Sequence, residues 1–238
     1  MTTEIILALD FPSIDHVRAL THQLDPARCR LKIGKELFTG YGPSLVVELQ
    51  DQGFQIFLDL KFHDIPNTVA AACAQAARLG VWMVNVHALG GPEMISKSRD
   101  AIEQHGNKTL LTAVTVLTSH DQAAIAAVGL HGDIAANVQR LAILAETSGA
   151  HGIVCSAQEV ALLKSCLASS CLFVTPGIRP QWAANNDQAR IMTPADAQAL
   201  GIQHIVVGRP VTQAQDPLAA LAQIEAELSH SSEIITGD

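Results

Sequence analysis

Short apolar runs recur along the chain, and each gives way to a longer segment in which apolar residues return every third or fourth position. Residues 5–9 form the first run, ending at Asp10, and a helix is expected from Pro12-Ser13 to about Leu24 with Ser13 as its N-cap. Runs at 30–33, 55–60, 81–86, 109–116, 152–155, 172–175 and 204–207 repeat the pattern. Between and after them, helices are expected at 36–50 (broken near Gly42-Pro43), 67–79, 92–104, 134–147, 158–167, 194–200 and 217–228. A further helix at 121–128 reads as an insertion, residues 176–190 as a long polar loop, and the polar tail 229–238 as a segment that frays.

Eight strand-then-helix units in a chain of 238 residues fit a (β/α)8 barrel, the TIM barrel of the α/β class. A doubly wound open sheet is the competing architecture. The count of eight favours the barrel. No stretch rich in Pro, Gly or Ser separates two parts, so residues 1–238 are expected to form one domain.

Composition narrows the function classes. Apolar residues make up 48% of the chain, aromatic residues 4% and charged residues 16%, as in a globular protein with a full core. The net charge of −8 speaks against a nucleic-acid or acidic-membrane surface, though a local basic site for a small anion is compatible with it. The five cysteines (Cys29, Cys73, Cys155, Cys166 and Cys171) contain no C-x-x-C pair and read as free, mostly core thiols of a reducing compartment. The opening residues are short and polar, unlike a leader, and no run approaches the ~20 apolar residues of a membrane span. The expected location is the cytosol. The ten histidines show no H-x-x-x-H spacing, so no metal centre is expected.

The densest chemistry is Asp59-Leu60-Lys61-Phe62-His63-Asp64, at the end of the third apolar run. Side chains alternate along a strand, so Asp59 and Lys61 should share a face, about 6.5 to 7 Å apart along the backbone, with Asp64 just beyond. Charges crowded at the end of a buried strand are costly unless they pair, and either a structural ion pair or a catalytic group would result. The second carboxylate favours catalysis. Other strand ends carry Asp10, Lys32, His87, Thr118, Arg179 and Gly208-Arg209. Asp10 alone could be an N-cap, and His87 a core histidine bonded to backbone. Lys32, flanked by Leu31 and Ile33, needs a partner, for which Asp59 is a candidate. Gly208 allows close backbone approach and Arg209 can grip phosphate oxygens, in the region where barrels commonly bind phosphate.

The string Asp59-Leu60-Lys61-Phe62-His63-Asp64-Ile65-Pro66-Asn67-Thr68 closely resembles the signature of the orotidine 5′-phosphate decarboxylase family. The resemblance extends through Leu7-Ala8-Leu9-Asp10, Leu31-Lys32-Ile33-Gly34, residues 114–119, residues 175–180 and Val207-Gly208-Arg209-Pro210. It implies loss of CO2 from orotidine 5′-monophosphate to give UMP, in the last step of de novo pyrimidine synthesis, with no metal and no organic cofactor. By this resemblance Lys61 is the proton donor to carbon 6. Lys32, Asp59 and Lys61 form an alternating charged array, and Asp64 is a fourth member contributed to the neighbouring subunit. Asp10 and Thr68 fall at the ribose, Thr118 (or Ser119) near the base, and Arg179, Gln188, Gly208 and Arg209 at the phosphate. If Asp64, Ile65 and Thr68 cross over, the working unit is a homodimer. Two rival readings are a magnesium-dependent decarboxylase or aldolase acting on a sugar phosphate, and a non-catalytic binder of a phosphate ligand. The intact string through Thr68 speaks against the first. The intact set of Lys32, Asp59, Lys61 and Asp64 speaks against the second.

Overall fold

The computed structural model describes residues 3–106, 108–183 and 192–233. The strands are β1 (Glu4–Ala8), β2 (Arg30–Gly34), β3 (Ile56–Phe62), β4 (Met83–His87), β5 (Leu110–Val114), β6 (Gly152–Val154), β7 (Leu172–Pro176) and β8 (His204–Val207). They are hydrogen-bonded in chain order into a closed barrel, with β8 returning to β1 in parallel, Leu7 opposite Val207. The helices are α1 (Ile14–Thr21), α2 (Lys35–Asp51), α3 (Pro66–Arg78), α4 (Pro92–Glu103), α5 (Gln122–Ala127), α6 (Ile134–Thr147), α7 (Val160–Lys164), α8 (Pro194–Ala199), α9 (Arg209–Thr212) and α10 (Pro217–Glu233). Their alternation with the strands is that of a (β/α)8 TIM barrel, as the apolar periodicity indicates. Among the described residues, no helix is long and apolar enough to cross a membrane.

Local chemistry sets most boundaries. Ser13 caps α1 by accepting the Asp15 N–H, so Asp10 is not the cap. Gly42, at φ 63° and ψ −158°, breaks α2 just before Pro43. Pro66 is the first residue of α3, where a missing N–H costs nothing. Several boundaries differ from the sequence expectation, among them the end of α1 at Thr21 and of β5 at Val114, and α9 was not expected; two differences have a local cause. The turn at Ala157–Glu159 precedes a shorter α7, because Ser156 and Glu159 form a reciprocal capping box. α10 runs to Glu233, past its expected end near residue 228, since a helix already nucleated can extend through polar residues, and residues 234–238 of the expected tail lie outside the described residues.

The chain divides into two compact units, Met1–Phe57 with Thr175–Asp238, and Leu58–Val174. In the first, Ile6, Leu7, Leu31, Ile33, Ile205 and Val207 of the strands are fully buried, as are Val46 and Leu49 of α2 and Leu221 and Ile224 of α10. In the second, Val84, Val86, Leu111, Ala113 and Ile153 are fully buried, with Cys73 and Ala77 of α3, Met94 and Ile95 of α4, and Val138 and Ala142 of α6. Each such aliphatic side chain contributes about 1.5–3 kcal/mol by leaving water. Gly152 opens β6 where a Cβ would lie 2.6 Å from the Leu172 carbonyl oxygen of β7, so no larger residue fits without moving the strand. All five cysteines are free thiols and all but Cys166 are buried. Burial pushes the thiols of Cys29 and Cys73 up to about 12 and about 11, and that of Cys155 higher still.

Polar residues at the N-terminal ends of the strands pair among themselves. In the first unit Glu4 binds Arg30 at 2.6 Å and approaches His204 Nδ1 at 3.2 Å, while Arg30 Nε donates to Gln55 at 2.7 Å. In the second, the Leu111 N–H donates to His151 Nδ1 at 2.9 Å, which keeps that ring nitrogen unprotonated. Burial and the adjacent Arg99 guanidinium hold His151 below the ordinary histidine range.

Candidate active site

The chemistry-bearing residues named from the sequence gather at the C-terminal ends of the strands, in each unit separately. In the first unit, Ala8 pairs with Lys32 across β1 and β2, and the Leu9 N–H donates to the Lys32 carbonyl at 3.1 Å. The chain therefore leaves β1 beside Lys32, and Asp10 reaches the Lys32 ammonium at 3.2 Å. Lys32 is buried while Asp10 is exposed, so the pair presents its carboxylate to solvent and keeps its cation inside. Asp10 is thus a partner of Lys32 that the reading of Asp10 as a cap overlooked. Two glycines flank it. A Cβ on Gly34 would stand 3.5 Å from Lys32 Nζ and 3.6 Å from Asp10 Oδ1, and one on Gly208 would stand 3.8 Å from Asp10 Oδ2. Both glycines therefore lie directly alongside the same carboxylate, within ordinary contact of where a Cβ would stand.

In this unit Arg179 and Arg209 also come together. Arg179 follows β7, its N–H donating to the Met192 carbonyl at 3.0 Å, and Arg209 opens α9 after Gly208. Both line a cavity of about 280 Å3, with Trp182, Pro210 and Gln213. Two guanidiniums facing one cavity suit a phosphate dianion, which each can grip through paired N–H donors. Trp182 and Gln213 were missed from sequence, where neither carries a local signal. Gln188 lies outside the described residues.

In the second unit, Lys61 Nζ donates to Asp59 Oδ1 at 2.5 Å. The expected pair is formed, but not by regular strand alternation. Lys61 has φ 51°, and among the described residues it is the one non-glycine residue with a positive φ. That region costs an L-residue roughly 1–2 kcal/mol, and such outliers gather at functional sites. Asn85, in the middle of β4 and fully buried, holds the arrangement. Its Oδ1 accepts the Lys61 backbone N–H at 2.7 Å and its Nδ2 donates to Asp59 Oδ1 at 2.7 Å. Sequence reasoning passed over Asn85. The available signal was a lone amide between Val84 and Val86 in a buried strand, which must find partners.

Asp64 does not join the Asp59–Lys61 pair. Its Oδ1 accepts the neighbouring Ile65 N–H at 2.6 Å, and among the described residues it makes no ion pair. The cause is the break in the strand: beyond Phe62 the chain turns outward to the start of α3, leaving Asp64, Ile65 and Thr68 exposed together, Ile65 at 67%. Thr118 and Ser119 are exposed in the turn after β5. His87, at the end of β4, stacks on His63 with ring centroids 5.5 Å apart.

Comparison with known proteins bears on the family and the fold. Residues 3–224 match the family described as orotidine 5′-phosphate decarboxylase / HUMPS. The chain is 55% identical over 231 residues to orotidine 5′-phosphate decarboxylase of Alkalilimnicola ehrlichii, covering 97% of this chain and 98% of that protein. It is 56% identical over 225 residues to the protein of the same name from Halorhodospira halophila, covering 94% and 95%. Among solved structures, orotidine 5′-phosphate decarboxylase from Lactobacillus acidophilus superposes with a TM-score of 0.86 at 38% identity, covering 95% of this chain and 99% of that one. The chain belongs to the orotidine 5′-phosphate decarboxylase / HUMPS family.

Proposed function

We propose that this protein is a carboxy-lyase of pyrimidine biosynthesis that converts orotidine 5′-monophosphate to UMP and CO2 without a metal or organic cofactor. Family membership at 55% identity supports the reaction. The observation within the chain that carries it is the Lys61 ammonium, bound to Asp59 from a strained backbone position. Breaking the bond between carbon 6 and the carboxylate releases CO2 and leaves the electron pair in the plane of the ring, where the π-system cannot delocalise it. A fixed ammonium stabilises that charge as it develops and then supplies the proton to carbon 6, and solvent reprotonates the lysine. Preorganised charge of this kind is commonly the largest catalytic term.

The remaining roles follow the family likeness residue by residue. Lys32, Asp59 and Lys61 act as the charged array, with Asp64 supplied by a second copy of the chain. Asp10 and Thr68 hold the ribose, Thr118 lies near the base, and Arg179, Gln188, Gly208 and Arg209 take the phosphate. The cavity shared by Arg179 and Arg209 is consistent with the last of these. The exposure of Asp64, Ile65 and Thr68 on one short segment is consistent with a homodimer in which that segment serves the neighbour. The barrel acts as a single domain, located in the cytosol, and neither nucleic acid nor a membrane is a partner.

The test is the ultraviolet absorbance of orotidine 5′-monophosphate with the wild-type protein in excess EDTA, beside Lys61→Ala. Rapid loss of the orotate chromophore with wild type is expected, with a loss of about 10⁴-fold in kcat/KM in the variant. A folded wild type that leaves the absorbance unchanged, or activity that requires a divalent cation, would sink the proposal.

A further inference from the structure

We infer that Asn85 is a positioning residue for the decarboxylation, fixing the left-handed backbone of Lys61 and the carboxylate of Asp59 through the two ends of one amide. The inference rests on the proposed reaction and extends it to a residue outside the charged array.

The direction of each hydrogen bond is set by chemistry. The backbone N–H of Lys61 can only donate, so the amide oxygen faces it, and an ionised Asp59 can only accept, so the NH2 group faces the carboxylate. Both contacts are 2.7 Å, and Asp59 Oδ1 receives the Asn85 amide and the Lys61 ammonium together. Asn85 therefore touches the same lysine twice: directly at its backbone, and through Asp59 at its ammonium. In a regular ladder a strand N–H meets a carbonyl of the next strand. Here the turned N–H of Lys61 meets a side chain of β4 instead, so the amide and the left-handed conformation belong to one arrangement.

Few side chains could replace it. An ionised aspartate has the right length and the acceptor but no donor, and would set a like charge against Asp59. Serine and threonine are too short to span both partners. Leucine matches the volume but would leave the Lys61 N–H and one face of Asp59 unsatisfied in a buried place. The hydrogen bonds of Asn85 go to Lys61 and Asp59, so its loss should act on turnover rather than on phosphate-driven affinity.

Orotidine 5′-monophosphate turnover is measured for wild type, Asn85→Ala and Asn85→Asp, with UMP binding by titration calorimetry as the check that the fold and phosphate region persist. For Asn85→Ala, kcat is expected to fall about 100-fold, as for a reacting group displaced by about 1 Å, with KM and UMP affinity within about threefold of wild type. For Asn85→Asp, the introduced carboxylate and Asp59 can coexist by sharing one proton, which restores a donor between them. The ratio of variant to wild-type kcat is therefore expected to rise as pH is lowered from 8 to 5.5. The other charged or titratable groups at the ends of β3 and β4 are Lys61, His63, Asp64 and His87, and their presence in both proteins removes them from the ratio.

An inactive wild type overturns the decarboxylase reading itself. An active wild type with Asn85→Ala within threefold in kcat overturns the positioning role alone. So does a parallel loss of UMP binding, which would mark Asn85 as merely structural. If Asn85→Ala fails to fold, the pH ratio of Asn85→Asp decides, and a flat ratio overturns the inference.

Discussion

At the start of β1, Glu4 meets Arg30 and His204; two residues past the end of the same strand, Asp10 meets Lys32. Both are ion pairs, and they are built for different ends. Glu4 meets a guanidinium and a buried imidazole, Arg30 is held in turn by Gln55, and the strand registers run undisturbed, with Glu4 opposite His204. Around Asp10 two glycines lie alongside the carboxylate, which stands exposed to solvent. The second unit repeats the contrast. His151 completes a backbone hydrogen bond at the start of β5, whereas Lys61 at the end of β3 holds its ammonium out from a strained backbone. In barrels the N-terminal face commonly serves stability and the C-terminal face chemistry, and here the difference is visible in the exposed carboxylate of Asp10 and the strained backbone of Lys61.

Substitutions at the two ends should therefore separate activity from stability. The largest effect, after that of Lys61→Ala and level with that of Asn85→Ala, is expected from Arg209→Ala. Loss of a charge-assisted phosphate contact should lower kcat/KM by about 100-fold, with part of the loss in kcat, because phosphate binding energy helps position the reacting ring. Steady-state kinetics that show only a raised KM would remove the link between phosphate and chemistry. Gly152→Ala, at the N-terminal end of β6, should instead destabilise by about 1–3 kcal/mol, since its Cβ meets the Leu172 carbonyl, with kcat per folded molecule preserved. Urea unfolding followed by an activity titration checks both halves.

The smallest effect is a pH dependence. Burial and the nearby Arg30 lower His204 from 6.5 to about 4. Between those values the unfolded chain takes up a proton that the folded chain refuses, so the contribution present at pH 7 is lost as pH falls from 6.5 through about 4. His204→Gln should flatten that slope by about 1–2 kcal/mol, read as the difference in urea midpoint between pH 7 and pH 4.5. An unchanged slope would show that Glu4 compensates the imidazole fully.

The eight-fold alternation was plain in the sequence because parallel strands buried on both faces read as unbroken apolar runs between amphipathic helices. Asp59 and Lys61 were equally legible, since charge at the end of such a run has no other place to go. Their true geometry was not. Strand periodicity carries no sign of the positive φ at Lys61, which depends on an amide from the next strand, and Asn85 sits in a segment whose pattern simply says strand. Asp64 looked like a neighbour of Lys61 by spacing, but the turn after Phe62 directs it outward. The meeting of Arg179 with Arg209 depends on β7 and β8 lying side by side, which brings together residues 30 positions apart in a way no local motif records.

The buried cysteines give the molecule its own stopwatch. Thiols shielded from water and held far from ionisation do not react with maleimides or disulfides while the fold is closed. Cys29 belongs to one compact unit, and Cys73 and Cys155 to the other. The rate at which each is alkylated in the native protein therefore counts how often its own unit opens. Equal rates would mean a single cooperative event, and unequal rates two.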